Sequence, residues 1–135
     1  MKETKLLIQA AKEAQKKAFA PYSRFKVGAA LLTTDRKITL GANIENASYG
    51  LTVCAERVAI FKAVSEGYRN FKAIAITAQQ TGRPADRQTE QPYPCGACLQ
   101  VLAEFGTDLT VIIDGNKSKP TVTKLSKLLP KTFKL

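Results

Sequence analysis

Cys54, Cys95 and Cys98 are the only cysteines in a chain of 135 residues that has no histidine, and they stand in the segments Cys54-Ala55-Glu56 and Pro94-Cys95-Gly96-Ala97-Cys98. A structural zinc closes its coordination sphere with four side chains, whereas a catalytic zinc usually takes three and keeps a position for water. Three sulfurs and no imidazole can supply only the second arrangement, unless a carboxylate fills the fourth place. Glu56, two residues beyond one candidate ligand, can sit beside the open position without being a ligand itself, where hydrolysis needs a proton carrier. The chemistry this pattern points to is metal-assisted hydrolysis, with Cys54, Cys95 and Cys98 holding the ion and Glu56 moving protons.

Three blander readings compete. Cys-x-x-Cys at a helix start can be a redox pair, but that leaves Cys54 without a role and predicts a βαβ setting near the front of the chain. Buried free cysteines behave as small hydrophobes, and the flanking Pro94 and the upstream Cys-Ala-Glu are then a coincidence. The rival from another class is a structural zinc module that binds nucleic acid and recruits an Asp or Glu as fourth ligand.

The elements that must position these side chains follow from periodicity. Leu7, Ala10, Ala11, Ala14 and Ala18 recur at helical spacing and Pro21 stops the run. Phe25 to Thr33 reads as a largely buried strand, Asp35-Arg36 as a turn, and Lys37 to Ala42 as the hairpin partner. Asn43 to Thr52 is polar and reads as a loop. Cys54 to Glu66 carries an apolar stripe and ends at Gly67, the usual left-handed position after a helix. Phe71 to Ala78 is strand-like, and Gln79 to Tyr93 is a polar insert. Cys95 to Phe105 is a short helix closed by Gly106, Leu109 to Asp114 a strand, and Thr123 to Leu129 a terminal helix before Pro130. The order α-β-β-α-β-α-β-α predicts an α/β domain, a mixed β-sheet layered with helices.

That layout puts Cys54 at the start of one helix, and Cys95 and Cys98 in the first turn of another. A zinc ion with three thiolates is net negative, and two helix N-termini, each with roughly half a positive charge, offset part of it. Arg57, next to Glu56, is placed to hydrogen-bond a thiolate and drain more. Such relief matters because thiolate donation weakens the metal's hold on the pKa of water.

The length fits one domain spanning 1–135. No apolar stretch reaches the roughly eighteen residues of a membrane span, and reduced thiols in Cys-x-x-Cys suit a cytoplasmic protein. The net charge of +10 raises nucleic acid as a partner. Its lysines are spread over the first helix, a turn and the tail, and the tail's single aromatic, Phe133, does not make a base-stacking platform. Solvated faces account better for the charge.

Beyond the metal motif, the runs Ala20-Pro21-Tyr22-Ser23-Arg24-Phe25-Lys26-Val27-Gly28-Ala29-Ala30-Leu31 and Gly41-Ala42-Asn43-Ile44-Glu45-Asn46-Ala47-Ser48-Tyr49 resemble the small cytidine deaminases that act on free nucleosides. The similarity continues through Cys54-Ala55-Glu56-Arg57 and Pro94 to Cys98 and ends at Leu128-Leu129-Pro130, covering nearly the whole chain. The resemblance implies a homotetramer with shared active sites and one zinc per subunit. It implies that Asn43 and Glu45 hold the ribose hydroxyls, that Phe25 packs on the pyrimidine with Val27 beside it, and that Ala47 and Tyr49 touch the sugar in a neighbouring subunit's site. Phe133 takes the place of an aromatic that completes the base pocket across the interface. Many relatives carry an arginine directly after the last cysteine, where this chain has Leu99, so Arg57 is left as the cationic partner of the thiolates.

The activity implied is hydrolytic deamination of cytidine and deoxycytidine, with Glu56 as proton shuttle and the backbone N–H of Ala55 or Cys95 orienting the reacting groups. An antibiotic nucleoside deaminase of the blasticidin type shares the same core. Polynucleotide cytosine deamination is a third option, and it predicts strong, salt-dependent oligonucleotide binding.

Overall fold

Alternation of side chains along the strands decides where the two cores lie. In a computed structural model that describes residues 2–82, 91–115 and 119–135, helix α1 (Lys2–Gln15) is followed by β1 (Phe25–Thr33), β2 (Ile38–Ala42), α2 (Ala55–Ser65), β3 (Phe71–Gln80), α3 (Gly96–Ala103), β4 (Thr110–Asp114), β5 (Thr121–Lys124) and α4 (Leu125–Leu128). The strands form a mixed sheet in the order β2-β1-β3-β4-β5. The β3–β4 pair is parallel and the others are antiparallel.

Successive residues of a strand point to opposite faces, so Ala30 and Leu32 of β1, Ala73 and Ala75 of β3 and Ile112 of β4 meet Leu7 and Ala11 of α1. Their neighbours Ala29, Leu31, Ile74, Ile76, Val111 and Ile113 pack with Ala55, Ala59, Ile60 and Ala63 of α2 and Leu99 and Leu102 of α3. The result is three layers, with α1 on one side of the sheet and the remaining helices on the other. Small residues let α1 approach closely: a methyl group on Gly28 of β1 would lie 2.0 Å from the Ala11 carbonyl oxygen. This architecture is the layered α/β domain expected from the element order.

Beyond shifts of one or two residues at helix and strand ends, the elements differ from expectation in several places. The first helix ends at Gln15 rather than running to Ala18, because Lys17 and Ala18 close i to i−3 bonds onto Ala14 and Gln15 and Phe19 N–H then bonds to Asn43. The chain from Asn43 to Thr52 contains a 3-10 turn at Tyr49–Leu51 and an antiparallel bridge from Ile44 to Val53. Strand β3 reaches Gln80, so the polar insert loses its first two residues to the sheet, and residues 83–90 of it lie outside the described residues.

The largest correction is at the C-terminus. The expected helix Thr123–Leu129 is a strand over its first two residues, since Val111 pairs with Thr123 and Thr110 with Lys124, leaving only Leu125–Leu128 helical. The β-branched run Thr121-Val122-Thr123 favours a pleated edge over a helix.

Candidate active site

Two helix N-termini carry the cysteines. Cys54 is the N-cap of α2 and Cys95 the N-cap of α3, both with extended backbone, and Cys98 lies one turn into α3. Neither cap side chain makes a capping bond to the backbone of its own helix, so the sulfurs are available to one another. Cys95 Sγ lies 3.4 Å from Cys98 Sγ and 3.9 Å from Cys54 Sγ, and all three sulfurs fall within 4.8 Å. Zinc–sulfur bonds of about 2.3 Å in a tetrahedron place ligand sulfurs about 3.8 Å apart. The three residues therefore fit a zinc ion as they stand, with the fourth corner free of protein sulfur.

The electrostatics of the trio agree. The Cys98 thiol donates to Cys54, and this hydrogen bond outweighs burial; with help from Arg57 and then Cys95 it pulls the Cys54 thiol down to about 5. The same shared proton, together with burial and the nearby Glu56 charge, pushes Cys98 well above the usual thiol range. A cation bound by these residues would displace that shared proton. Arg57 Nη2 donates to Cys54 Sγ at 3.5 Å. Its Nε is buried with no hydrogen-bond partner among the described residues, which leaves the guanidinium a donor in reserve beside the thiolates. Leu99, directly after the last cysteine, is 8 % exposed and belongs to the core between α2, α3 and the sheet.

Glu56 is 4 % exposed. Burial is the main force on its carboxyl, and the Cys54 thiolate adds repulsion; its own backbone N–H, the Cys98 thiol and Arg57 pull the other way, and the balance lies at about 7. A buried carboxyl poised near neutrality, one residue from a ligand sulfur's neighbour on the same helix turn, is suited to taking and giving a proton.

A cavity of about 230 Å³ opens onto this group. It is lined by Cys54, Ala55, Glu56 and Cys95 at the metal end, and by Phe25, Val27, Asn43, Glu45 and Tyr49 beyond. Ser23, Thr52, Pro92 and Tyr93 also line it, and sequence reasoning assigned none of these four. Thr52 falls in the expected loop and Pro92-Tyr93 in the expected insert, and their one signal in the sequence is adjacency to the cysteine motifs. A separate groove of about 460 Å³ lies at Phe71, Phe105 and Lys124 and touches none of the expected site residues.

Asn43 and Glu45 are both held within the chain. Asn43 Oδ1 accepts the Val27 N–H at 2.9 Å and its Nδ2 donates to the Phe25 carbonyl at 2.8 Å. Glu45 accepts from the N–H groups of Tyr22 and Ser23, the Ser23 hydroxyl and the Tyr49 hydroxyl. Burial raises its pKa, but the Ser23 hydroxyl and N–H, the Tyr22 N–H and Tyr49 together more than reverse this and hold the carboxyl below its ordinary range. Tyr49, expected in a neighbouring subunit's site, lines the cavity of its own chain. Ala47 and Phe133 lie outside the cavity, exposed, with Phe133 at 69 %.

Three clustered cysteine sulfurs at two helix ends, a buried carboxyl beside them and an adjoining cavity of nucleoside size define a zinc hydrolase of the nucleobase-deaminase class. The chain belongs to the cytidine and deoxycytidylate deaminase family: the model of the family's zinc-binding region matches residues 1–114. It is 48% identical over 129 residues to the cytidine deaminase of Sporosarcina psychrophila, covering 94% of this chain and 88% of that one. To the cytidine deaminase of Halalkalibacterium halodurans it is 49% identical over 132 residues, covering 97% and 94%. The crystal structure of cytidine deaminase from Burkholderia pseudomallei superposes with a TM-score of 0.85 at 48% identity, covering 96% of this chain and 98% of that one. Blasticidin-S deaminase of Bacillus cereus is more distant, 32% identical over 108 residues, or 80% of this chain and 76% of that one. Among the described residues no helix is long and apolar enough to cross a membrane.

Proposed function

We propose that the chain, acting as one domain over 1–135, hydrolyses cytidine and 2′-deoxycytidine to uridine and 2′-deoxyuridine. Water adds its oxygen to C4 of the pyrimidine, the C4–N bond breaks, and the amino group leaves as ammonia. The observation that carries this reading is the buried Glu56 beside the sulfur trio, in the lining of a cavity that Phe25, Val27, Asn43 and Glu45 also line.

Cys54, Cys95 and Cys98 would hold one zinc ion, which when bound supplies the Lewis acidity that lowers the pKa of water towards about 7. Glu56 takes a proton from the attacking water and delivers it to ring N3; it then takes the remaining proton of the hydroxyl added at C4, which becomes the carbonyl, and gives it to the departing amine, a cycle that requires its pKa to lie close to neutral. Ala55 opens α2, so its N–H has no partner within the helix and is free to orient the reacting oxygen or the leaving group. Cys95 offers the same at the entry to α3. Phe25 and Val27 present an apolar wall to the base. Asn43 and Glu45 face the sugar, and Asn43 keeps one acceptor and one donor site beyond those bonded to β1. Arg57 offsets thiolate charge.

The active unit on this reading is a cytoplasmic homotetramer with sites shared between subunits. Phe19 and Ile44, bridged neighbours, and Tyr49 and Leu51 in the following turn are exposed large hydrophobics close in sequence to the cavity lining, as expected of a face that a partner covers. Ala47 and Phe133, outside the cavity of their own chain, are then available to a neighbour's. Sedimentation or light scattering gives the subunit number directly.

The test of the function is loss of cytidine absorbance with purified protein, with and without chelator, beside blasticidin S and a cytosine oligonucleotide. Cytidine turnover that disappears on chelation and returns with zinc is the expected outcome. Turnover of blasticidin S or the oligonucleotide alone, or full activity without metal, overturns the reading.

A further inference from the structure

The hydroxyl of Ser23 touches two walls of the cavity at once. It accepts the backbone N–H of Phe25 at 3.0 Å and donates to Glu45 Oε2. A serine hydroxyl has one proton, so with the Phe25 N–H pointed at its oxygen, that proton is committed to Glu45. The turn bearing Ser23 is pinned from both sides. Tyr22 and Ser23 N–H groups bond Glu45 Oε1 at 2.9 and 3.1 Å, while the Ser23 carbonyl accepts from Gln80 Nε2 at 2.8 Å and the Arg24 carbonyl from Thr81 N–H and Oγ1 at 2.8 and 3.0 Å. These bonds hold Arg24 at a φ of 57°, a left-handed conformation that side-chain-bearing residues visit rarely.

An ionised carboxylate offers about four acceptor positions. In Glu45 three are taken by this pinned turn. The fourth takes the Tyr49 hydroxyl at 3.3 Å, the longest hydrogen bond around the carboxylate and made by a residue of a short exposed turn. It is the position that a sugar hydroxyl can take over most readily.

We propose that Ser23 is a positioning residue for substrate selection: by fixing the rotation of the Glu45 carboxylate relative to Phe25, it aims a single acceptor position of Oε2 at the sugar and ties it to the wall that holds the base. The inference rests on the reading of Glu45 as the group that recognises a sugar hydroxyl.

The test compares Ser23→Thr with Ser23→Val, isosteres that differ by the hydroxyl, beside Ser23→Ala and Glu45→Gln. Each is assayed with cytidine, 2′-deoxycytidine and 3′-deoxycytidine. Loss of one hydrogen bond to a charged group predicts a rise of about tenfold in KM for cytidine in the Val and Ala variants, with a much smaller change in kcat, and recovery in the Thr variant. The preference for cytidine over the analogue that Glu45→Gln no longer distinguishes should shrink by a similar factor, a change that general loosening of the fold does not produce. If Glu45→Gln keeps every preference, the role of Glu45 itself is wrong. If Glu45→Gln loses a preference that Ser23→Val retains at unchanged KM, the role of Ser23 is wrong while that of Glu45 stands.

Discussion

Gly41 of β2 lies directly under Ala55, the residue between Cys54 and Glu56: a methyl group on Gly41 would sit 2.4 Å from the Ala55 carbonyl oxygen and 2.5 Å from the Ala59 nitrogen. Both are backbone atoms of α2, so no side chain can rotate away to make room. The absence of a Cβ at Gly41 sets how close the first turn of α2, with the Cys54 sulfur and the Glu56 carboxyl at its start, comes to the sheet.

Gly41→Ala is therefore expected to push that turn outward. Overpacking of this kind destabilises by about 1–3 kcal/mol, and the displaced Cys54 should weaken zinc retention. Thermal melting and metal content after dialysis against a chelator measure the two effects. A variant that melts and holds zinc like the parent contradicts the account of Gly41.

Glu56→Gln keeps shape and burial and removes the titrating proton. Zinc content should be unchanged, and turnover should fall by at least about 10²–10⁴-fold, the range for loss of a general acid–base. Loss of metal together with fold points instead to Glu56 as a fourth ligand of a structural site, and parent-like turnover eliminates it as proton carrier.

Arg57→Ala removes the cation 3.5 Å from Cys54 Sγ in a chain where Leu99 offers no substitute. Partners that support metal ligands contribute about 10–100-fold to activity or affinity. The expected result is a loss of turnover of that order at full zinc loading, with a smaller change in melting temperature. Arg57→Lys should recover only part of it, because a single ammonium lacks the fork of guanidinium donors. An unchanged rate at full loading contradicts the role.

Stability in acid reports on Glu45. Its carboxyl is held below the ordinary value of 4.5 when folded, so near that pH the unfolded chain binds more protons and stability rises with pH. The contribution is present above about 4.5 and fades as pH falls through the lower folded value. Glu45→Gln should flatten the acid limb of a plot of urea midpoint against pH. An acid limb as steep as that of the parent shows that other carboxylates set it.

Much of this protein follows from local patterns. Strand β1 occupies Phe25–Thr33 as its apolar run indicates, and the helices begin at the residues after Cys54 and Cys95 and break where Gly67 and Gly106 take positive φ. Such features depend on neighbours in sequence, and periodicity and end signals record them. Strand β5 is harder to read for the opposite reason: its β-branched run Thr121-Val122-Thr123 favours a strand, but so short a segment is fixed as one only where the open edge of β4 offers its N–H and C=O groups.

The site divides along the same line. Residue types and spacing alone determined the chemistry, three thiolates without histidine and a carboxyl two residues from the first, since the valence of a metal and the need for a proton carrier are properties of side chains. Only the folded chain decided that the sulfurs, forty-one residues apart for Cys54 and Cys95, meet at 3.9 Å, that burial lifts Glu56 to about 7, and that Ser23, Pro92 and Tyr93 join the cavity. Distance across the sheet, dehydration and the direction of a hydroxyl proton depend on groups remote in sequence, and those come together only when the layers pack.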